Sequence, residues 1–185
     1  PQGMESYFTP DGKSLKRAFL KSPMPFTRIS SGFSNSRYHP VLKEWRAHRG
    51  IDYAAPTGTP IRAVSDATVD FVGRKGGYGN LVVLNHQRPY STAYGHLSRF
   101  APGIRRGARV SQGQIIGFVG STGLASGPHL HYEFRINGVQ TNPLALKLPN
   151  SLPLEGRYRA RFSAEAAPLV TRLNLLSEHR VAGLD

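Results

Sequence analysis

Short strand-like segments separated by glycine-containing turns constrain the fold of this chain more strongly than any other feature. Between residues 67 and 72, apolar and polar residues alternate as they do in a strand with one buried face. No helical period of similar strength precedes residue 150. The sequence therefore predicts a mainly β fold, a compact antiparallel β-sheet or sandwich. The predicted strands lie at residues 60–64, 67–72, 81–84, 91–94, 114–119 and 129–135.

The two flanking regions differ from this central part. Residues 1–27 are interpreted as an N-terminal extension or linker of a longer protein, and residues 28–147 as the sheet domain. Residues 148–185 form a C-terminal tail, in which apolar residues at helical spacing between 162 and 176 predict a short helix. Pro168 predicts that this helix begins close to it. The chain starts at Pro1 and has no apolar run that could cross a bilayer, which leaves open a signal or membrane anchor in a missing N-terminal part.

Charge and cysteine content narrow the classes of function. The 24 basic and 11 acidic residues give a net charge of +13, which favours a polyanionic partner such as nucleic acid or an anionic cell wall. The absence of cysteine excludes a disulfide scaffold, a cysteine-ligated zinc and a cysteine nucleophile. The basic residues are scattered, and no strand combines them with aromatic residues as RNA-binding sheets do. No specific nucleic-acid partner is therefore predicted.

The placement of four residues indicates a metal site. His129 and His131 lie two residues apart on a predicted strand, so both side chains point to the same face. His48 and Asp52 are four residues apart, which on an extended segment also places them on one side. A catalytic zinc takes three nitrogen or oxygen ligands and leaves one position for water. His48, Asp52 and one histidine of the 129/131 pair satisfy that requirement.

The other histidine of that pair would lie beside the metal together with His96, which follows a predicted strand. Two such histidines can take a proton from water, stabilise an oxyanion and protonate an amine, which amounts to amide hydrolysis. Each pattern alone is weak, and isolated histidines such as His39, His86 and His179 are usually structural or solvated. The coexistence of both patterns in one β-rich domain favours the metal site.

The motifs that contain these residues resemble those of the lysostaphin/LytM-type zinc endopeptidases. The resemblance rests on residues 48–60, 77–80, 94–98, 120–123, 126–133 and 142–143. It implies a LytM-type catalytic domain over residues 28–147 that hydrolyses peptide cross-links of peptidoglycan with a metal-activated water. It assigns one zinc ion to His48, Asp52 and His131, and the catalytic roles to His96 and His129.

Flanking segments refine this resemblance. Residues 31–40 and the lead-in from 7 to 20 are similar to the versions in envelope proteins of Gram-negative bacteria. That branch implies peptidoglycan stem peptides as substrate, with the bond from D-Ala to meso-diaminopimelate as the cleaved cross-link. It also implies a periplasmic or cell-surface location in the bacterial envelope, against the anionic cell wall.

Two alternatives stay open at the level of sequence. One is a non-catalytic LytM-type activator or wall-binding module for another cell-wall hydrolase. The other is a nucleic-acid-binding β-barrel, which the net charge alone suggests. A further hypothesis is that residues 1–27 cover the zinc groove.

Overall fold

The computed structural model of this chain describes residues 8–11, 13, 17–25, 28–38, 43–148, 151, 154 and 156–181. The chain divides into two compact units, Phe19–Leu148 and a second unit of Pro1–Ala18 with Pro149–Asp185. The first unit contains all the strands, and the second contains the one long helix found in the described residues. In chain order the elements are β1 (Arg28–Ser31), β2 (Ser34–Tyr38), β3 (Trp45–His48), β4 (Ile51–Ala54), β5 (Pro60–Arg62), β6 (Ala67–Arg74), β7 (Asn80–Asn85), β8 (Tyr90–Phe100), β9 (Arg109–Val110), β10 (Ile115–Val119), β11 (His129–Ile136), β12 (Val139–Thr141) and α1 (Gly156–Val181).

Within the described residues, ten of the strands form one antiparallel sheet. Its main path runs β1-β4-β11-β8-β7-β6-β9, while β10 pairs with both β5 and β8, and β12 pairs with β11. The strands β2 and β3 form a separate two-stranded ribbon. The prediction of a mainly β, antiparallel fold is therefore confirmed, and β11 and β8 lie at the centre of the sheet.

Side-chain periodicity explains the individual strands. In β6, Ala67 and Val69 are buried while Thr68 and Asp70 are exposed, as the sequence alternation predicts. In β7 the run Leu81–Leu84 is buried throughout, so both faces of this strand are covered, since successive side chains point to opposite faces. Each fully buried leucine or isoleucine contributes about 1.5–3 kcal/mol by leaving water. This core holds the strands that carry the site.

Residues before β1 also pack on the sheet unit. The Phe19 ring makes edge contacts with His86, Tyr90 and Phe134, at centroid distances of 5.4, 5.3 and 5.1 Å. The backbone N–H of Leu20 donates to the carbonyl oxygen of Val64 at 2.7 Å. Phe19 and Leu20 therefore pack on the core of the sheet unit.

The C-terminal helix is confirmed, and it is longer than the predicted segment at both ends. Pro168 lies inside α1, so the expectation that the helix begins near it was wrong. A proline in a helix interior removes one hydrogen bond. The alanine-rich turn before it, residues 164–167, has high helix propensity and continues the helix to it. In the described part of the chain, no helix has enough apolar length to cross a bilayer.

Candidate metal centre

Three side chains from three strands converge on one point of the sheet unit. Asp52 on β4 lies directly opposite His131 on β11 in the antiparallel register. His48 is the last residue of β3. The Nε2 atom of His48 lies 3.0 Å from Oδ1 of Asp52 and 3.2 Å from Nδ1 of His131, and the last two atoms are 2.9 Å apart. These three residues form a group that could hold a metal ion.

A bend, rather than one extended segment, brings His48 to Asp52. Arg49 and Gly50 separate β3 from β4. The expectation that His48 and Asp52 lie on one extended segment was therefore wrong. A Cβ atom on Gly50 would lie 2.6 Å from Cε1 of His131 and 2.7 Å from the carbonyl oxygen of Tyr132. Only glycine lets the chain pass this close to β11. The bend therefore depends on Gly50.

Backbone and side-chain acceptors set which ring nitrogens face the centre. Nδ1 of His48 is 2.7 Å from the carbonyl oxygen of Gly32, and Nε2 of His131 is 3.2 Å from Oε1 of Glu133. Both acceptors require a proton on those nitrogens. The other nitrogens, Nε2 of His48 and Nδ1 of His131, are left with lone pairs that face Oδ1 of Asp52.

This arrangement fits a metal ion. Three lone-pair-bearing atoms at these distances repel one another unless a metal ion or a proton lies among them. A tetrahedral zinc with bonds of about 2.0 Å separates its ligands by about 3.3 Å, close to the spacing of the triangle. Two imidazole nitrogens and one carboxylate oxygen also suit zinc better than magnesium or calcium. The residues present therefore fit the ion that the sequence resemblance implies.

Hydrogen bonds within the triangle shift the pKa values of His131 and Asp52 in opposite directions. Burial alone would lower the pKa of His131, but its hydrogen bonds to Asp52 and Glu133 outweigh burial and raise it to about 9. Burial alone would raise the pKa of Asp52, but hydrogen bonds from His131 and His48 hold it far below its ordinary value. Proton and metal therefore compete for the same nitrogen.

A buried carboxylate supports the far side of His131. Glu133 is 2% exposed, and it accepts hydrogen bonds from the Tyr78 hydroxyl at 2.7 Å and from Nε of Arg135 at 2.7 Å. Burial opposes its ionisation, but the hydrogen bonds from His131 and Tyr78 and the charge of Arg135 lower its pKa to about 2. Glu133 is thus ionised and orients His131. Metal-binding histidines commonly have such a partner.

The second oxygen of Asp52 has its own partner. Oδ2 accepts a hydrogen bond from Arg37 at 3.2 Å, and Arg37 also donates to the Ser31 hydroxyl at 2.7 Å. Arg37 thus leaves Oδ1 as the oxygen that faces the two histidines.

His96 and His129 form a second histidine pair beside this triangle. Their ring centroids are 4.7 Å apart, and Nε2 of His129 lies 3.8 Å from Oδ1 of Asp52. Nδ1 of His96 is 2.7 Å from the carbonyl oxygen of Thr122, and Nδ1 of His129 is 2.8 Å from that of Gly127. Both Nε2 atoms are therefore left as proton acceptors. Burial lowers the pKa of His96 to about 4, so this imidazole is neutral near pH 7.

His96 lies inside β8, and its expected position at a strand end was wrong. Its φ of 61° is in the left-handed region, which costs about 1–3 kcal/mol and is found mainly at functional sites. Up to Gly95 the strand pairs with β11, and from Leu97 it pairs with β10. The change of partner falls on His96 and turns its side chain towards His129.

The glycine-rich loops hold His96 in this conformation. The Thr122 hydroxyl donates to the carbonyl oxygen of Leu97 at 2.9 Å and accepts from the backbone N–H of Asn80 at 2.9 Å. A Cβ on Gly123 would lie 2.3 Å from the backbone nitrogen of Gly79, so the two loops meet through glycine backbone. The loop at 120–128 therefore positions Thr122, whose carbonyl oxygen binds His96.

All five residues that the sequence singles out as site residues come together in one groove of about 700 Å³. No role was predicted from the sequence for four residues that support the site, Glu133, Tyr78, Arg37 and Arg135. Glu133 and Arg135 continue the two-residue alternation of His129 and His131 along β11, and that signal would have placed them on the same face.

Of the remaining histidines, His86 is buried and structural, with contacts of 3.0 Å to the Asp66 carbonyl oxygen and 2.8 Å to the Thr92 hydroxyl. His39 and the side chain of His179 lie outside the described residues.

Comparisons with known proteins agree with this fold and site. Residues 46–143 match the model of peptidase family M23. The chain is 43% identical over 173 residues to peptidoglycan DD-endopeptidase ShyC of Vibrio cholerae serotype O1, covering 94% of this chain and 40% of ShyC. It is 49% identical over 168 residues to DD-carboxypeptidase/endopeptidase Mpg of Neisseria meningitidis serogroup B, covering 88% of this chain and 38% of Mpg.

A solved structure is similar as well. The crystal structure of a zinc containing peptidase from Vibrio cholerae has a TM-score of 0.67 and 33% identity, over 78% of this chain and 47% of that one. The antiparallel sheet and the site, with the family match over more than half of the chain, define a metallopeptidase domain. The chain belongs to peptidase family M23. It spans about two fifths of the length of the curated relatives given above.

Proposed function

We propose that this chain is the catalytic part of a zinc-dependent endopeptidase that hydrolyses peptide cross-links of peptidoglycan. The observation that carries the proposal is the His48–Asp52–His131 triangle with Nε2 of His129 only 3.8 Å from its carboxylate oxygen. Zinc held by these three residues would supply an ionisable water and polarise the amide carbonyl. Residues 28–147 are proposed as the catalytic domain, with flanking segments at 1–27 and 148–185.

The two remaining histidines supply the proton transfers. Nε2 of His129 takes a proton from the attacking water, because Nδ1 is already committed to the carbonyl oxygen of Gly127. Protonated His129 can then return that proton to the departing amine. Nε2 of His96 lies across from His129 and is placed to accept the second proton, from the hydroxyl of the tetrahedral intermediate. Because burial keeps His96 neutral, it enters the reaction as an acceptor and becomes charged only when the reaction supplies a proton.

The substrate assignment follows the names of the relatives. ShyC is named a peptidoglycan DD-endopeptidase, and Mpg a DD-carboxypeptidase/endopeptidase. We extend this to the bond between D-Ala and meso-diaminopimelate, and to a location in the bacterial envelope, periplasmic or at the cell surface. The net charge of +13 suits attachment to an anionic wall. A membrane anchor in a longer protein is part of the same proposal. The names of these relatives do not favour a non-catalytic activator.

Digestion of purified diaminopimelate-type sacculi, with mass spectrometry of the released muropeptides, tests this function. We expect cross-linked dimers to decrease and monomers to increase, with no change in samples that contain a chelator or the His129→Ala protein. If dimers persist in the sample that contains the zinc-loaded wild-type protein, the proposal is wrong. Omitting residues 1–18, which leaves the core contacts of Phe19 and Leu20 in place, tests whether the N-terminal segment covers the groove, and equal rates would count against that hypothesis.

A further inference from the structure

The β2–β3 ribbon forms one wall of the groove and has an unusual arrangement of charge. Arg37 on β2 lies directly opposite Arg46 on β3, and Arg46 is two residues before the site residue His48, on the same face of that strand. Arg37, Arg46 and Arg49 all line the groove. Like charges directly opposite each other destabilise a strand pair. Arg37 is paired with Asp52, so Arg46 and Arg49 are the two arginines of this wall that a substrate could meet.

The carboxylates that line the groove do not neutralise Arg46 or Arg49. In the described residues they are Asp52, which faces the metal position and Arg37, and Glu133, which binds Arg135. Arg46 has a contact of 3.6 Å to Glu44, but both side chains are more than half exposed, so this pair is weak.

Arg49 uses few of its donors on the residues that the structure describes. Its NH1 group donates to Oδ1 of Asn35 at 2.6 Å, and its guanidinium lies 5.6 Å from the Phe33 ring centroid. A guanidinium has five N–H donors in a planar fork that matches a carboxylate. These two contacts orient Arg49 and leave donors available at the groove wall.

We propose that Arg46 and Arg49 bind a carboxylate of the substrate that lies next to the scissile amide. This inference rests on the proposed function and specifies what the groove recognises. In a diaminopimelate cross-link, the carbon that bears the acylated amine also bears a carboxylate, whereas a lysine cross-link has only hydrogen there. Two arginines on the wall that carries His48 place positive charge beside the metal position. They distinguish an acidic cross-link from a neutral one.

Three cross-linked muropeptide dimers test the inference. One has free carboxylates, one is amidated only at the diaminopimelate carboxylate beside the scissile bond, and one is amidated only at D-glutamate. We expect Arg46→Gln and Arg49→Gln to lower kcat/KM on the first and third dimers by roughly tenfold to a hundredfold, the range for a hydrogen bond to a charged group. On the second dimer both variants should match the wild type. Arg106→Gln, an exposed arginine in the turn before β9, removes the same charge and should change nothing.

Binding separates this inference from the proposed function. In zinc-loaded His129→Ala protein, fluorescence of the sole tryptophan, Trp45 on β3, follows occupancy of the ribbon without cleavage. Tighter binding of the acidic dimer than of the amidated dimer, with no cleavage by the wild type, would support the inference and contradict the endopeptidase function. Equal dissociation constants for the two dimers would overturn the inference. If only the dimer amidated at D-glutamate lost binding, the assignment of the bound carboxylate to diaminopimelate would be wrong.

Discussion

Replacing Glu133 by glutamine tests whether this buried carboxylate fixes the metal-facing nitrogen of His131. One oxygen of Glu133 accepts from His131 and Tyr78, and the other accepts from Arg135. Glutamine keeps the shape but has only one oxygen, and the cation of Arg135 requires that oxygen on its side. The amide NH₂ then faces Nε2 of His131 and favours the tautomer that protonates Nδ1, the atom in the triangle.

The expected loss of zinc affinity follows from that change of tautomer in His131. Loss of the partner behind a metal-binding histidine typically weakens metal affinity 10- to 100-fold. This corresponds to about 1.4–2.7 kcal/mol of binding free energy. The variant should still fold, because the hydrogen bonds from Arg135 to an oxygen remain, although its unfolding free energy should fall by about 1–3 kcal/mol.

Competition with a chromophoric zinc chelator measures this affinity. Asp70→Asn is the matched control, since Asp70 is an exposed carboxylate on β6, away from the groove. We expect the control to bind zinc as the wild type does and Glu133→Gln to bind it at least about tenfold more weakly. Equal affinity in all three proteins would refute the role given to Glu133.

Three further predictions concern the glycine loops, a buried histidine and the surface charge. Gly79→Ala should lower the unfolding free energy by about 2–5 kcal/mol, because φ is positive and the new Cβ would lie 2.4 Å from the Thr122 backbone. Gly103→Ala, also at positive φ but in open space, should cost only about 1–2 kcal/mol, and equal losses in denaturant unfolding would contradict the contact. Burial lowers the pKa of His86 below 6.5, so its contribution to stability is complete above that pH and is lost as the pH falls through it. The unfolding free energy of His86→Gln should therefore decrease less than that of the wild type between about pH 7 and about pH 5, and parallel profiles would count against this. Raising the ionic strength should reduce activity on intact sacculi more than on soluble muropeptides, and an equal reduction would remove the role of the net charge.

The strands were predictable because their signal is local. In β6, alternation in the sequence matches alternation in burial, since one face of the strand covers the core. The His129/His131 pair was expected on one face for the same reason, and β11 places both side chains in the groove.

What could not be predicted depends on backbone contacts between distant segments. The bend at Gly50 and the left-handed φ of His96 result from packing against β11 and the loop at 120–128. The acceptors that fix the histidine tautomers include carbonyl oxygens of Gly32, Thr122 and Gly127, and any residue type offers such an oxygen. Sequence therefore indicated the residues of the centre but not what orients them.

Zinc content measured together with cleavage tests whether His48 and His131 hold the metal while His96 and His129 transfer protons. His131→Ala and His129→Ala would be purified with excess zinc, dialysed, and assayed for bound metal and for cleavage of cross-linked muropeptides. We expect His131→Ala to lose zinc and activity. His129→Ala should keep about one zinc per chain while its rate falls about 10²- to 10⁴-fold. A zinc-free His129→Ala protein, or a His131→Ala protein that binds zinc and cleaves normally, would contradict this assignment of roles.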